Sequence, residues 1–326
     1  MQAKATKKNI LFAGYYGTSN WGDEAILAGL ARALKPHHHV AALSFKPRET
    51  TRVHGIPSFH RYYDLIAAFA WANVFVLGGG SLLQDVTSFR SLQYYLSLLR
   101  MSRYFCKHGF VFAQSIGPLS TKGEALLQKS LQGIAIAVRD PDSQSYLAGL
   151  GLQSEVFADA AFLLEPHPTS EKRFDALLIP RAKHPEYSDR LIELAQSNPN
   201  KRLATLAMQK GQDEQEVERL QRAIPELERV TIDSLRDLQA AIAASRSVYS
   251  VRLHGLILAA KQAVPYVGLA YDPKVSAFLA YSGMPSGIEG HDDIEKLTQR
   301  HIDGQRIALL EQRSQEGIDW LRQTLV

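Results

Sequence analysis

Short runs of three to five mostly apolar residues alternate along this chain with longer stretches whose apolar positions recur every three or four residues. In the first half the short runs lie at 10–13, 40–44, 74–77, 110–113, 134–138 and 156–158. A run that is apolar on both faces and too short for a helix reads as a strand covered on both sides, the usual state of a parallel sheet. Between the runs, 23–34 carries Ile26, Leu27, Leu30 and Leu34 on one helical stripe, and 62–71, 92–108, 121–132 and 142–150 read as further helices. The second half repeats the pattern, with strands expected at 176–179, 203–207, 229–232, 248–251 and 266–269. Its helices are expected at 187–197, 213–223, 234–244, 255–262, 274–281 and 292–298, and 305–325 is one long amphipathic run. Strand and helix alternating at this spacing predict βαβ units and a parallel sheet in each half.

A chain of 326 residues exceeds what one hydrophobic core organises. The stretch from Glu165 to Lys172 has no apolar period and holds Pro166 and Pro168, as a linker would. The domains expected are therefore 1–165, 166–304 and a terminal helix, 305–326. Two Rossmann-like halves with a closing helix resemble the GT-B architecture of glycosyltransferases. That resemblance implies an α/β fold of two domains facing a cleft, with the last helix crossing back to the first.

Composition narrows the function classes. The net charge is +4, with pI near 9.0, and apolar residues make up 45% of the chain. No block of Arg and Lys and no RNA-type aromatic motif occurs, so nucleic acid is not an expected partner. The single cysteine, Cys106, sits among Tyr104, Phe105 and Lys107 and reads as helix packing, in keeping with a reducing cytoplasm. The apolar run at 65–77 contains Asn73 and is too short to span a bilayer, and 10–13 is too short for the apolar region of a signal peptide. The expectation is a cytoplasmic protein whose contact with the inner membrane leaflet is weak and peripheral. Candidates for that contact are Arg90, Tyr94, Tyr95, Arg100, Arg103, Tyr104 and Lys107.

The unusual residues stand at strand ends, where open α/β sheets bind ligands. In Arg252-Leu253-His254-Gly255 the histidine falls at a strand-to-helix turn, beside helix N–H groups that suit an anion. It is a proton carrier near neutral pH or a surface residue beside a cap. Gly255 there lets an anion approach the backbone. Tyr271-Asp272-Pro273-Lys274 follows the next strand, and Lys274 reads as a second cation for a phosphate or carboxylate, or as a solvated turn residue. Arg139 offers a planar fork to such a group or pairs with Asp140 or a nearby helix end. The opening loop, Gly14 to Glu24, lacks the pattern of a P-loop or dinucleotide fingerprint. Asn20, Asp23 and Glu24 are suited to sugar hydroxyls, and Asp23 and Glu24 equally to charging the start of a helix. Gly78-Gly79-Gly80-Ser81 brings backbone close to a ligand, and Gln84 and Gln114 stand nearby in sequence or at the next strand end. The tandem His37-His38-His39 lacks ligand spacing, and no metal site is expected.

Taken in order, Gly14-Tyr15-Tyr16-Gly17, Asn20-Trp21-Gly22-Asp23-Glu24, Gly78-Gly79-Gly80-Ser81-Leu82-Leu83-Gln84-Asp85, Ser115-Ile116-Gly117-Pro118, Val138-Arg139-Asp140, Arg252-Leu253-His254-Gly255 and Tyr271-Asp272-Pro273-Lys274 resemble the polysaccharide pyruvyl transferases. Within that family they resemble the CsaB branch, which acts on secondary cell wall polymer precursors. The resemblance implies transfer of the enolpyruvyl carbons of phosphoenolpyruvate to a sugar, as a ketal. In that branch the acceptor is a β-linked N-acetylmannosamine of a lipid-diphosphate disaccharide, ketalised at O4 and O6. It implies a catalytic trio, Arg139, His254 and Lys274, with Arg252 and Gly255 also on the donor. Gly17, Asn20, Asp23, Glu24, Gly79, Gly80, Ser81, Gln84 and Gln114 fall to the acceptor. Phosphoenolpyruvate is a co-substrate, and neither metal nor cofactor is implied. The family often has glycine at Ser115 and proline at Ala160, so those loops depart from its pattern. Two other readings compete. One is a GT-B nucleotide-sugar glycosyltransferase, which calls for base and ribose contacts in the second half. The other is a carbohydrate-binding scaffold, for which three cations have no use.

Overall fold

The computed structural model describes residues 7–168, 171–287, 294–299 and 302–325. Thr169 and Ser170 of the expected linker, and Asp292 and Asp293 of the expected helix at 292–298, lie outside them. Two compact units emerge: unit 1 comprises Met1–Thr18, Asp23–Leu164 and Leu310–Val326, and unit 2 comprises Ser19–Gly22 and Glu165–Leu309.

Unit 1 runs β1 (Asn9–Ala13), α1 (Trp21–Leu34), β2 (His39–Ser44), α2 (Pro47–His54), β3 (Ser58–His60), α3 (Leu65–Trp71), β4 (Val74–Leu83), α4 (Phe89–Phe105), β5 (His108–Ile116), α5 (Thr121–Leu131), β6 (Ala135–Val138), α6 (Pro141–Gly149) and β7 (Glu155–Val156). A 3-10 turn, Ala160–Leu163, follows. The seven strands are parallel in the order β3-β2-β1-β4-β5-β6-β7, which reverses direction between β1 and β4. Alternate residues of the central strands feed two cores, as the pleat requires. Phe75 and Leu77 join one core with Leu92, Leu96 and Leu99 of α4. Val74 and Val76 join the other with Ile26, Leu27 and Leu30 of α1. The second core also takes Ile318, Leu321 and Leu325, each at most 2% exposed, and Trp320 packs against Phe110, Phe112 and Phe157. Burying side chains of this size contributes about 1.5–3 kcal/mol each, which holds the end of the chain on unit 1.

Three differences from the sequence reading stand out here. Helix α2 was not expected, because Pro47–His54 has no apolar stripe and buries only Thr50. Its signals are at its ends, a proline in the first turn and Gly55 in the left-handed conformation after the last. Strand β3 was not expected either: it has three residues, none of them fully buried. Third, β4 and β5 do not stop at Leu77 and Ala113. They remain paired through Gly80 with Gln114 and Leu83 with Ile116, with a register shift between.

Unit 2 continues with β8 (Ala176–Ile179), α7 (Pro185–Gln196), β9 (Leu203–Thr205), α8 (Glu214–Ala223), β10 (Glu228–Arg229), α9 (Leu235–Ala243), β11 (Val248–Ser250), α10 (Leu253–Lys261), β12 (Tyr266–Gly268), α11 (Pro273–Ser282) and α12 (Ile294–Thr298). The last helix, α13 (Gly304–Thr324), begins among unit 2 residues and ends among those of unit 1. The five strands are parallel, in the order β10-β9-β8-β11-β12, reversing between β8 and β11. Several are shorter than expected at their carboxyl ends, because the chain leaves the ladder there to form loops.

Candidate functional site

In unit 2 the carboxyl ends of β8, β11 and β12 lie side by side and gather its cations. Arg252 caps the start of α10 and is 8% exposed. Its Nε and Nη2 both donate to the carboxylate of Asp213, at 3.1 and 2.5 Å, and Nη2 also donates to Gln209 Oε1 at 3.1 Å. Asp213 is fully buried, and it accepts further bonds from the backbone N–H groups of Ala182 and Gln209. One carboxylate thus ties the loops after β8 and β9 to the arginine after β11. This pinning occupies the Nε and Nη2 edge of Arg252.

His254 lies in the first turn of α10, half-buried. Its ring packs directly on Gly22: a Cβ there would fall 2.4 Å from His254 Nδ1. The segment Ser19–Gly22 belongs to unit 2 by these contacts. Trp21 N–H donates to Met208 O at 2.9 Å, and Asn20 bridges to Gln209 in antiparallel fashion. Asn20 also accepts the Gly22 N–H at 3.1 Å through its side chain. The N–H of Gly255 donates to Arg252 O at 3.0 Å. Its role in this arrangement is therefore close packing on Ser250, rather than presenting an N–H to an anion.

Asp272 caps α11, accepting the Lys274 N–H at 3.1 Å, and its other oxygen pairs with Lys274 Nζ at 3.0 Å. Arg181, just beyond β8, lays its guanidinium 4.3 Å over the Tyr271 ring and bonds the Tyr271 hydroxyl. Burial pulls its pKa below the ordinary arginine value; Tyr271 opposes that, and the charge of Arg252 adds to it. Two guanidinium groups that feel each other in a half-buried site favour an anion between them or beside them. Arg181, Gln209 and Asp213 escaped the sequence reading. The signal for Arg181 was present, since it stands two residues past a buried strand just as Arg252 does. Asp213 resembled an ordinary helix start.

The remaining candidates lie in unit 1. Arg139 ends β6, with Nη1 on Asp159 at 2.5 Å and Nε on the Ser115 hydroxyl at 2.7 Å. The Ser115 hydroxyl donates to Asp140 at 2.7 Å, and Asp140 caps α6 through the Ser143 N–H. The ion-pair partner is thus Asp159, not the adjacent Asp140. The serine that departs from the family pattern bridges the two. Gln114 is fully buried; its Oε1 accepts the Leu82 N–H at 3.0 Å and its Nε2 donates to Gly79 O. It positions the glycine loop by holding the irregular part of β4. Gly79 has φ +70° and Gly80 φ +91°, conformations that L side chains rarely adopt. Asp23 is 8% exposed and stands against Gly80, and Ser81 follows half-buried. Glu24 accepts the Gly17 N–H at 2.8 Å and meets His54 Nε2 at 2.6 Å, so its carboxylate organises the loop after β1. Gln84 bonds Thr87 at both ends of its amide.

Cys106 is half-buried, and burial pushes its thiol up to about 11. The membrane-contact candidates divide. Tyr95 is 1% exposed, Tyr94 donates to Arg61 O at 2.8 Å, and Arg103 bonds the carbonyls of Ser130 and Gln132. Arg90, Arg100, Tyr104 and Lys107 are exposed. Among the described residues no helix is long and apolar enough to cross a membrane.

Several solved structures share this fold. HepE of Anabaena, solved with UDP and glucose, aligns over 98% of this chain and 99% of its own, with 11% identity and a TM-score of 0.62. The UDP-GlcNAc 2-epimerase of Neisseria meningitidis, bound to UDP-GlcNAc, aligns over 97% and 100%, with 10% identity and a TM-score of 0.66. The corresponding epimerase of Methanocaldococcus jannaschii aligns over 97% and 99%, with 9% identity and a TM-score of 0.64. At such identities the likeness shows the fold, an α/β arrangement of GT-B type with two Rossmann-like sheets. No curated protein matches the chain in sequence. The family model for polysaccharide pyruvyl transferase matches residues 20–273, a span running from the Asn20 loop to Pro273 and so holding Arg139, Arg252 and His254. The chain belongs to the polysaccharide pyruvyl transferase family, and so to the transferases that modify polysaccharides.

Proposed function

We propose that this transferase takes the pyruvyl group from phosphoenolpyruvate and builds it as a 4,6-ketal on a β-linked N-acetylmannosamine of a lipid-linked cell wall precursor, releasing phosphate. The observation that carries the donor assignment is the gathering of Arg181, Arg252, His254 and Lys274 at the ends of β8, β11 and β12. Phosphoenolpyruvate brings a carboxylate and a phosphate, and guanidinium forks and an ammonium suit both. Ketal formation puts one proton on the methylene carbon, forms two C–O bonds to the acceptor at C2 and breaks the C–O bond to phosphate. Of the two protons lost by the acceptor hydroxyls, one balances the new methyl group and the other leaves with phosphate. We assign His254 to the proton transfer, and Lys274 and Arg252 to the charge growing on the departing phosphate. Gly22 sets the depth of the imidazole, and Asp213 holds the arginine.

Arg139 carries the family's donor role by position in the motif. Its guanidinium is engaged within unit 1 by Asp159 and Ser115, so the donor assignment rests on the cations of unit 2 and Arg139 is given no direct contact with the donor. The glycine segment within β4, with Asp23 and Ser81, is assigned to the acceptor. On this reading the reaction is cytoplasmic, with weak contact to the inner leaflet through the exposed part of α4.

Phosphate release separates this reading from a nucleotide-sugar glycosyltransferase. With phosphoenolpyruvate and a β-N-acetylmannosaminide, phosphate should appear in step with ketal, and neither should appear when the acceptor is left out. Phosphoenolpyruvate alone should raise the melting temperature by mass action, and UDP-sugars should raise it much less. Stabilisation by UDP-sugars only, with no phosphate released, would overturn the proposal in favour of the glycosyltransferase.

A further inference from the structure

Unit 1 contains a buried cation that the catalytic reading does not use. Arg61 follows β3 and is 4% exposed. Its backbone is fixed on both sides: its N–H donates to Ser44 O at 3.0 Å, and its carbonyl accepts from Tyr94 Oη at 2.8 Å. The guanidinium is sandwiched, with its central carbon 4.1 Å from the ring centroids of both Phe45 and Tyr94. Tyr62 and Tyr95 stand at 5.2 and 5.3 Å.

The rings attract the cation through its faces. They leave its in-plane donors unmet. A guanidinium has five N–H groups. Among the described residues, the side chain meets only tyrosine hydroxyls, with Nη1 reaching Tyr95 Oη at 3.4 Å and Tyr94 beside it, and its buried Nε has no partner. No carboxylate pairs with it there. The contrast with Arg139 and Arg252 is direct, since each of those has an aspartate at 2.5 Å. A buried charge without a counter-ion is costly, and its being kept at a strand end needs an explanation.

Location supplies one. Arg61 stands at the carboxyl ends of β2 and β3, the edge of a parallel sheet where ligands bind. Tyr62, 52% exposed, packs edge-on to Phe45 and Tyr94 and carries the cluster to the surface.

We propose that Arg61 is the anion anchor of a binding site in unit 1, its in-plane N–H edge taking an oxyanion, phosphate or carboxylate, of a ligand whose sugar ring rests on Tyr62. The inference deepens the acceptor side of the proposed function and rests on it. The two sources of such an oxyanion are a phosphate carried by the acceptor and free inorganic phosphate, and we assign the acceptor's.

The test omits phosphoenolpyruvate, so its failure is separate from a failure of the pyruvyl transfer reading, which phosphate release decides. The probes are an alkyl-diphospho-disaccharide ending in β-N-acetylmannosamine, the same alkyl disaccharide without phosphates, and inorganic phosphate. Calorimetry should show the diphosphate form binding about tenfold or more tightly than the phosphate-free form. Arg61→Met should erase that advantage and leave the affinity of the phosphate-free form unchanged, while Lys274→Ala should keep it. In the unaltered protein, which needs no variant to fold, the Arg61 Nε–H resonance should shift on adding the diphosphate form. A shift with inorganic phosphate alone would keep the oxyanion site and overturn the acceptor as its source. An unmoved resonance at saturation, or an Arg61→Met protein that keeps the full diphosphate advantage, would overturn the site.

Discussion

The carboxyl edges of the two sheets are built from different chemistry on the same βαβ plan. In unit 2 the edge gathers Arg181, Arg252, His254 and Lys274, with Asp213 and Asp272 holding two of them in place. In unit 1 the edge carries positive-φ glycines, a buried amide, the carboxylates of Asp23 and Glu24, and the aromatic sleeve of Arg61. The difference teaches that residue type at a strand end does not set a role; the partners do. Arg139 and Arg252 both end apolar strands and both meet an aspartate. Arg252 has further cations on its own sheet edge, while Arg139 sits in a relay of hydroxyls and carboxylates. That contrast is the physical basis for assigning the anionic donor to unit 2 and the hydroxyl-rich acceptor to unit 1.

The largest expected effect comes from removing the anchor of the cationic edge. Asp213→Ala strips the counter-ion from buried Arg252 and two acceptors from the loops after β8 and β9. Leaving a buried charge unpaired should cost about 3–5 kcal/mol of stability. Denaturant unfolding reads this. A loss under 1 kcal/mol would mean that Arg252 finds solvent, and the pinning role would fail.

Next is the proton carrier. His254→Ala should lower turnover roughly a hundredfold or more while leaving the melting temperature near that of the parent. Gly22→Ala is its companion, because the added Cβ would press on the His254 ring from an otherwise ordinary backbone. It should lower kcat in the same direction. If His254→Ala turns over normally, His254 is a packing residue and the cationic edge is only a binding site.

The glycine edge of unit 1 gives a smaller, structural effect. Gln114→Leu leaves the Leu82 N–H and the Gly79 carbonyl buried without their partner. About 1–3 kcal/mol of stability should be lost. Measured acceptor KM should rise with it if the amide holds the glycine loop in its binding shape. An unchanged KM would separate the loop from the acceptor.

Much of the fold was legible because each central strand is buried on both faces. Val74–Leu77 and Ala176–Ile179 are continuous apolar runs, and such runs announce themselves. What escaped lacked that signal. Helix α2 and strand β3 have almost nothing buried, so no periodicity marks them. Of the candidate residues, Arg139, Arg252 and His254 stand out in the sequence by type and by their place after a strand. Arg181, Asp213, Asp159 and Arg61 do not, since their surroundings are set by partners far away in sequence. The grouping of Ser19–Gly22 with unit 2 depends on contacts to Met208, Gln209 and His254, which no local pattern encodes.

The smallest effect sharpens the comparison most, because it separates space from conformation. Gly22 belongs to unit 2 and Gly80 to unit 1, and each resists a side chain for a different reason. At Gly22 the obstacle is the His254 ring, 2.4 Å from where a Cβ would lie. At Gly80 there is room: the nearest atom is Asp23 Oδ1 at 3.4 Å, an ordinary contact. The obstacle there is the φ of +91°, which an L residue adopts at a cost of roughly 1–2 kcal/mol. Gly80→Ala should therefore lower stability by about that amount without displacing a neighbour, and unit 2 chemistry should be untouched. The donor KM should stay at the parent value while the melting temperature falls by a few degrees. If Gly80→Ala instead raises the donor KM as strongly as Gly22→Ala lowers turnover, the glycine edge of unit 1 serves the donor, and the assignment of one substrate to each unit fails.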